Sequence, residues 1–273
     1  MTQIQFLGHA CFLVEFGGAK LLFDPFITGN PMAKQIDIDA LEVDYIFLTH
    51  GHQDHVLDAE AIAKRTGAKI ISNYEIVSWY DSKGIPGHPM NHGGNYVFDF
   101  GTVKYVSAIH SSVLPDGTYG GNPGGFVVWN DSNCFYMAGD TALTYDMKLI
   151  PALCPKLDWA VLPIGDNFTM GMEEAVMAAD FIQCNQIVGC HYNTFPPIEI
   201  EVSKAQELFE AQTPLTPEQI EWLDSCTKGT WTLDSQTGLV NVDGSFDCSE
   251  QDLTDLKGVK FGKVSGDFYC EDN

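Results

Sequence analysis

Basic residues are scarce in this sequence, and their scarcity excludes several classes of protein. The 273 residues contain 14 Lys and Arg against 37 Asp and Glu, which gives a formal net charge of −23. A surface this acidic repels phosphate backbones at long range and attracts metal cations. The composition therefore argues against nucleic acid as a partner.

Long hydrophobic segments are also missing. No apolar run approaches the length of a transmembrane helix, because charged residues such as Glu15, Lys20 and Asp24 interrupt the most apolar stretch. The first residues lack the basic segment of a secretory signal. The eight cysteines are scattered and form no CxxC pair. These features predict a cytoplasmic protein with reduced thiols and no membrane partner.

What the chain does contain is a large apolar fraction, 45% of all residues, which is typical of a globular core. Up to about residue 200, short apolar runs alternate with helical patterns at Leu57–Arg65, Met172–Gln183 and Val202–Ala211. The strict strand–helix alternation of a TIM barrel is absent, so the pattern favours an α/β sandwich. The predicted strands are Gln5–Phe16, Lys20–Asp24, Tyr45–Leu48, Ala68–Ser72, Val103–Ala108, Phe126–Trp129, Cys134–Met137, Trp159–Leu162 and Gln186–Gly189.

The strongest functional signal is the segment THGHQDH, residues 49–55. Three imidazoles and a carboxylate so close in sequence are hard to explain by packing, because they would crowd polar groups together. In an extended chain His50 and His52 point to the same side, and a following turn carries Asp54 and His55 toward a second position. One loop can therefore contribute ligands to two metal ions, which two-metal hydrolytic sites hold about 3.5–4 Å apart.

Three isolated residues stand just past later strands: His110, Asp140 and His191. Together with the loop they supply five histidines and two aspartates. Zn²⁺ prefers imidazole and carboxylate ligands. The set is sufficient for two ions if one aspartate bridges them.

Several further segments resemble a known family. They are FLGHACFL (6–13), DPF (24–26), HSS (110–112), YGGNP (119–123), LPIGDNFTMG (162–171) and HYNTFP (191–196). With THGHQDH they look like the metallo-β-lactamase superfamily and, within it, its small metal-dependent hydrolase family. The resemblance covers the first three quarters of the chain and implies an αββα four-layer sandwich with the site along one edge of its two sheets.

The resemblance also assigns the ligands and the chemistry. It implies a dinuclear hydrolase in which a metal-bridging hydroxide attacks a small ester, lactone, amide or phosphodiester substrate. Two divalent transition-metal ions are expected, Zn²⁺ first, although Mn²⁺, Fe and Ni²⁺ accept such ligands. The first ion would be bound by His50, His52 and His110, the second by Asp54, His55 and His191, with Asp140 bridging both.

Two other functions stay open at this point. One is a binding or sensor protein that retains the metals without turnover. The other is a ribonuclease, since the superfamily includes such enzymes, although the few basic residues do not cluster. A screen of small substrates and structured RNA distinguishes these alternatives.

Other residues are candidates around the metals. His9 is a candidate proton donor or outer partner of the site, with a buried structural histidine as the alternative. Asp54 is a candidate for orienting the nucleophile. Asp24 is either a partner for an imidazole N–H or a turn cap. The candidate substrate contacts are Tyr119, Asn122, Asp166 and Asn193.

The sequence divides into a predicted hydrolase domain, residues 1–212, and an extension, residues 213–273. A capping box at Thr216–Gln219 predicts a short helix.

GSFDC (244–248) recurs 22 residues later as GDFYC (266–270), which resembles leucine-rich-repeat units, with an ordinary hairpin as the alternative. Two such strands cannot bury a core alone, so they are expected either to pack on the hydrolase domain or to extend a sheet across a subunit contact, which would make a homo-oligomer. Cys248 and Cys270 are predicted to stack as small apolar residues rather than to form a disulfide.

Overall fold

A computed structural model describes residues 2–211, 215–234, 239–249, 256 and 259–269. The chain divides into two compact units, Met1–Ile200 and Glu201–Asn273. The predicted domain boundary at residue 212 falls in a segment outside the described residues and stays a prediction. Among the residues that the structure describes, no helix is both long and apolar enough to span a bilayer.

The first unit contains two six-stranded mixed sheets. The first sheet follows the chain order β1-β2-β3-β4-β5-β6 and is antiparallel up to β3 and parallel beyond it. Its strands are β1 (Gln3–Gly8), β2 (Cys11–Phe16), β3 (Ala19–Phe23), β4 (Tyr45–Phe47), β5 (Lys69–Asn73) and β6 (Gly87–Met90).

The second sheet has the spatial order β12-β11-β10-β9-β8-β7. Its strands are β7 (Asn95–Val97), β8 (Thr102–Ser107), β9 (Gly124–Trp129), β10 (Cys134–Met137), β11 (Trp159–Pro163) and β12 (Ile187–Cys190). Strands β7 to β10 pair antiparallel, and β10 to β12 pair parallel. Strand β8 therefore runs in the same direction as β10 and β12, so the carboxyl ends of these three strands meet at one edge.

The two sheets pack face to face through aromatic side chains. Phe23 and Phe47 from the first sheet contact Phe126 from the second, with ring centroids 6.4 and 5.1 Å apart. Strand residues alternate between faces, so the neighbours Leu22 and Ile46 point the other way and join a separate core with the helices. The helices of this unit are α1 (Gln53–Val56), α2 (Ala59–Thr66), α3 (Tyr74–Asp81), α4 (Ile150–Leu153) and α5 (Met172–Ile182). The predicted α/β sandwich is confirmed.

Two of the differences from the predicted elements concern β1 with β2 and the start of α2. The single strand expected over Gln5–Phe16 is two strands, because Gly8 and His9 adopt positive φ values of 106° and 58° and turn the chain. The helix expected over Leu57–Arg65 begins only at Ala59, after α1 has already ended at Val56. Both differences arise at turns whose geometry apolar periodicity does not report.

The second unit contains α6 (Val202–Ala211), α7 (Pro217–Cys226) and a small sheet of β13 (Thr227–Leu233), β14 (Val240–Asp247), β15 (Phe261–Val264) and β16 (Phe268–Tyr269). The predicted capping box is present, since Thr216 and Gln219 exchange side-chain-to-backbone hydrogen bonds. Trp222, Leu223 and Phe246 belong to the buried core of this unit.

The repeat of 22 residues corresponds to parallel pairing in this sheet. Val242 lies opposite Val264, and Phe246 lies opposite Phe268. Because β14 pairs with β15 and β16 in parallel, the hairpin alternative for the repeated segments is wrong. The likeness to leucine-rich repeats stays a prediction.

The cysteine prediction requires one correction. Cys11, Cys134, Cys154, Cys184, Cys190 and Cys226 are free thiols. Cys248, however, is disulfide-bonded, so the preference for a stacked apolar thiol at this position is wrong. Cys248 is fully buried after β14, where parallel pairing brings its Sγ within 3.5 Å of the Tyr269 carbonyl oxygen. Its disulfide partner lies outside the described residues.

Candidate metal centre

The loop after β4 carries four of the predicted ligands on one short turn. His52 is the N-cap of α1, and its carbonyl oxygen accepts the His55 N–H at 2.9 Å. This turn reverses the chain directly after the strand, so Asp54 and His55 project back toward His50. The remaining predicted ligands follow β8, β10 and β12, whose carboxyl ends share one edge of the second sheet. They are His110, Asp140 and His191.

Three histidines form a first group, His50, His52 and His110, with one nitrogen of each within 4.8 Å of the others. His50 Nε2 lies 2.9 Å from His52 Nδ1. The His110 ring stands nearly perpendicular to both other rings, at centroid distances of 5.0 and 5.1 Å. Their side-chain nitrogens therefore converge on one point, as ligands of a single ion do.

Asp54, His55 and His191 form a second group beside the first. The Asp54 Oδ2 atom lies 3.8 Å from His191 Nε2 and 4.0 Å from His55 Nε2. Ligand atoms of this group lie within 4.8 Å of one another, and His9 falls within the same limit.

Asp140 lies between the two groups. Its Oδ2 atom is 3.0 Å from His191 Nε2 and 3.4 Å from His55 Nε2, both in the second group. The same oxygen is 3.5 Å from His110 Nε2 and 4.0 Å from His50 Nε2, both in the first group. One carboxylate thus reaches both halves of the site.

Four buried polar atoms of the predicted ligands have no hydrogen-bond partner among the described residues. These atoms are His55 Nε2, Asp140 Oδ1 and both ring nitrogens of His191. A buried polar atom without a partner is rare because desolvation is expensive. Imidazole nitrogens and carboxylate oxygens are ligands that divalent transition metals accept, so these residues fit a bound metal.

Burial and charge set the protonation of the cluster. Burial lowers the pKa of His50 well below its usual value, which keeps a nitrogen lone pair available. Burial also disfavours the charged forms of His55 and His191, but the Asp140 carboxylate outweighs it. The pKa of His191 rises to about 9, and that of His55 rises well above its usual value. The same two histidines hold the pKa of Asp140 well below its usual range despite its burial.

Comparison with known proteins identifies the family. A model of the β-lactamase superfamily domain matches residues 3–191. A UPF0173 metal-dependent hydrolase of Flavobacterium johnsoniae is 60% identical over 207 residues, which are 76% of this chain and 92% of the relative. A second metal-dependent hydrolase, from Thermus thermophilus, is 42% identical over 228 residues, 82% of this chain and 100% of that protein.

The chain belongs to the metal-dependent hydrolases of the β-lactamase superfamily. Among solved structures, Igni18, a metallo hydrolase of the archaeon Ignicoccus hospitalis, superimposes with a TM-score of 0.70 and 35% identity, covering 77% of this chain and 91% of that one. The Thermus relative is matched in full by only 82% of this chain, so this metal-dependent hydrolase carries sequence that the relative lacks.

Asp24 contacts one histidine of the candidate metal centre and also Thr49, at the start of the loop of residues 49–55, here called the metal loop. Its Oδ2 atom lies 2.9 Å from His55 Nδ1 and accepts the Thr49 hydroxyl at 2.7 Å. Its Oδ1 atom accepts the Thr49 N–H at 2.8 Å. The imidazole partner considered for Asp24 is therefore present, whereas the backbone N–H that it accepts belongs to Thr49, 25 residues away, and is not a cap of its own turn. Thr49, which also contacts His50 Nδ1 at 3.0 Å, was not singled out from the sequence.

Replacing Asp24 with Asn is expected to weaken metal binding at the second group. An Asn side chain is neutral and can accept at only one of these atoms, so His55 loses its charged partner. Loss of such outer partners lowers metal affinity by about 10–100-fold. Competition with a chromophoric chelator measures the change, and the exposed Asp81→Asn is the matched control. Unchanged affinity in Asp24→Asn would contradict the assigned role.

His9 is completely buried behind the second group. Its ring centroid is 4.1 Å from that of His191, and its Nε2 atom lies 3.1 Å from Asp54 Oδ2. The His191 N–H donates to the His9 carbonyl oxygen at 2.8 Å, which ties the Gly8–His9 turn to the end of β12. The structure thus places His9 against a predicted ligand.

Two predicted substrate contacts lie on a loop joined to the metal loop. Tyr119 is 60% exposed, and its hydroxyl donates to Asn122 Oδ1 at 2.8 Å. The Ser112 hydroxyl accepts the Gly51 N–H at 3.0 Å and donates to the Gly120 carbonyl oxygen at 2.8 Å. These two hydrogen bonds of Ser112 hold the loop with the exposed Tyr119–Asn122 pair next to Gly51, between His50 and His52.

The other two substrate candidates have local bonding roles. Asn193 Oδ1 accepts the Ile200 N–H at 2.7 Å, so this oxygen is engaged within its own loop. Asp166 Oδ1 accepts the N–H of Asn167 at 2.7 Å, and both residues adopt positive φ values of 59° and 55°. The loop packs closely on the site, since a Cβ at Gly165 would clash with the His191 carbonyl oxygen.

Proposed function

We propose that this protein is a dinuclear hydrolase. The observation that carries the proposal is the position of Asp140, whose Oδ2 atom lies within 4.0 Å of two histidines in each group. A single-ion site does not require a central carboxylate with ligands on both sides. The first ion is assigned to His50, His52 and His110, the second to Asp54, His55 and His191, and Asp140 to both.

Zn²⁺ is the first candidate for both ions, and Mn²⁺, Fe and Ni²⁺ are suitable alternatives for the same ligands. When bound, such ions acidify water and polarise the bond to be hydrolysed. Asp54 is the most exposed carboxylate of the cluster, with 31% of its side chain accessible, so it can accept a proton from a water that approaches from solvent. His9 supports Asp54 from the buried side.

A small ester, lactone, amide or phosphodiester is the proposed substrate. The net charge of −23 opposes binding of a long polyanion, which favours a small molecule over RNA. Tyr119 and Asn122 are proposed as substrate contacts, because their loop is clamped to the metal loop and Tyr119 is exposed. Asp166 and Asn193 are proposed with them as part of the surrounding rim.

A substrate panel tests this proposal. Protein reconstituted with Zn²⁺ or Mn²⁺ is assayed with lactones, thioesters, amides, bis-p-nitrophenyl phosphate and a structured RNA. Metal-dependent turnover of a small substrate supports the proposal. Turnover of RNA alone identifies a ribonuclease. Full metal content with no turnover on any substrate, and no hydrolysed product after soaking with analogues, indicates a binding or sensor protein instead.

Removal of residues 213–273 is expected to leave metal binding and hydrolysis intact. All seven proposed ligands precede residue 200 and lie within the first compact unit. The Flavobacterium relative, 92% of which is covered by 76% of this chain, is a named hydrolase. We propose that the extension serves a homo-oligomer, so sedimentation should show a smaller assembly for the chain ending at Gln212. A folded truncated protein that has lost its metal would refute this division of roles.

A further inference from the structure

Thr194 lies three residues beyond His191, and its hydroxyl contacts the side of His9 that faces away from the metal cluster. Thr194 Oγ1 is 2.9 Å from His9 Nδ1, and His9 Nε2 is 3.1 Å from Asp54 Oδ2. His9 is fully buried, and Thr194 is 7% exposed. A chain of three side chains therefore leads from a buried hydroxyl to a proposed ligand.

We infer that Thr194 and His9 are positioning residues for Asp54: the Thr194 hydroxyl donates to His9 Nδ1, and His9 donates through Nε2 to Asp54 Oδ2. The inference rests on the proposed function in one respect, since Asp54 is there a ligand of the second ion. It assigns a role to Thr194 that no feature of the sequence indicated.

The Asp54 carboxylate determines the direction of donation along the hydrogen-bonded residues. An ionised Asp54 only accepts hydrogen bonds, so a contact of 3.1 Å to His9 Nε2 requires a proton on that nitrogen. A neutral imidazole with its proton on Nε2 has a lone pair on Nδ1. That lone pair is buried and must be matched by a donor, and the Thr194 hydroxyl is within 2.9 Å.

The Thr194 hydroxyl has one proton and three acceptors within reach. His9 Nδ1 is at 2.9 Å, the Tyr192 carbonyl oxygen at 3.3 Å and Met32 Sδ at 3.4 Å. Donation to Tyr192 would reverse the chain, since Nδ1 would then carry the imidazole proton. Two lone pairs, on Nε2 and on the carboxylate, would then face each other at 3.1 Å. Donation to Nδ1 avoids this repulsion and uses the shortest contact.

The backbone keeps His9 in position for this role. His9 adopts a φ of 58°, a conformation that few residues other than glycine take. Its carbonyl oxygen accepts the His191 N–H, and Phe26 and Phe195 flank the ring at centroid distances of 5.6 and 5.4 Å. Asp54 is the partly exposed member of the chain, so a fixed donor behind it prevents its rotation toward solvent.

Substitution of Thr194 tests the chain through metal affinity. Thr194→Val keeps the shape of the side chain and removes the donor, and we expect an about 10–100-fold loss of affinity for the second Zn²⁺. Affinity for the first Zn²⁺ should not change. Thr194→Ser keeps the hydroxyl, so it should retain the affinity of the wild type for the second Zn²⁺. Chelator competition measures both affinities without an activity assay. Equal affinity of Thr194→Val and the wild type for the second ion would overturn the inference.

The tautomer of His9 provides an independent measurement on the unmodified protein. Long-range ¹H–¹⁵N spectra of metal-free protein labelled in histidine should show His9 protonated at Nε2 and unprotonated at Nδ1. Thr194→Val should increase the population protonated at Nδ1. If His9 of the wild type is protonated at Nδ1, the proposed hydrogen bonds from Thr194 to His9 and from His9 to Asp54 are refuted. That result would favour His9 as a direct metal ligand.

Two conservative substitutions of His9 extend the test. A Gln amide N–H can reach the position of Nε2, whereas an Asn amide occupies the position of Nδ1. We therefore expect His9→Gln to retain more affinity for the second Zn²⁺ than His9→Asn does, and the reverse order would contradict the inference. If the wild-type protein binds no second ion, the proposed dinuclear function fails, while the tautomer measurement still decides whether the chain exists.

Discussion

Replacement of both His50 and His52 with Ala should remove the metal from the first group and abolish hydrolysis. Each residue contributes one of three converging nitrogens, so the double variant leaves only His110 in that group. The loss should exceed the about 10–100-fold effect of removing an outer partner. Elemental analysis of purified protein measures metal content, and the rate on the best substrate of the panel measures activity.

His88 is a suitable control for this experiment. Like His52 it is partly buried, but its ring packs on Tyr96 at a centroid distance of 3.9 Å, away from the cluster. His88→Ala should retain full metal content. His88 lies in β6. A His50→Ala, His52→Ala protein with the metal content of the wild type would refute the assignment.

The sequence predicted that ligands follow the ends of strands, because this position depends only on the local pattern of apolar residues. His110, Asp140 and His191 each follow a short apolar run, and the runs proved to be β8, β10 and β12. Apolar runs do not report strand order or direction. The convergence of three ligands at one edge requires that these strands run the same way, and this follows from pairing between distant segments.

The supporting residues were harder to find because they act across long sequence separations. Asp24 contacts Thr49 and His55, and Thr194 contacts His9, 185 positions away. A Thr or Asp in a turn has a sufficient local explanation in capping, so the sequence left a turn cap as the alternative for Asp24 and did not mark Thr194 at all. Asn73 is similar: it caps α3 and also donates to the Gly120 carbonyl oxygen at 2.7 Å.

The repeated segment near the carboxyl end shows the opposite case, in which sequence offset reported tertiary pairing. The offset of 22 residues is the same as the separation of Val242 from Val264 and of Phe246 from Phe268, which lie opposite each other in parallel strands. Side chains strengthen the register, since Ser265 donates to Asp243 Oδ1 at 2.9 Å.

Replacement of Asp140 with Asn should decide between one and two ions. The substitution keeps the size of a buried side chain but removes the negative charge, and an amide is a poor substitute for a bridging carboxylate. Asp140 Oδ2 contacts His191 and His55 on one side and His110 and His50 on the other. If it bridges two ions, this single change weakens both, and the loss of activity should exceed that of Asp24→Asn.

Asp54→Asn is the matched comparison for Asp140→Asn, because Asp54 belongs to the second group alone. We expect Asp54→Asn to retain close to one ion per chain and Asp140→Asn to retain less than one at the same free metal concentration. Removing the Asp140 charge also removes the largest of the interactions that raise the pKa of His191, Asp54 supplying the other, so the pKa of His191 should fall in the metal-free variant. Metal titration followed by elemental analysis gives the stoichiometries. A full first ion in Asp140→Asn would show that Asp140 serves only the second group, and the bridging assignment would then be wrong.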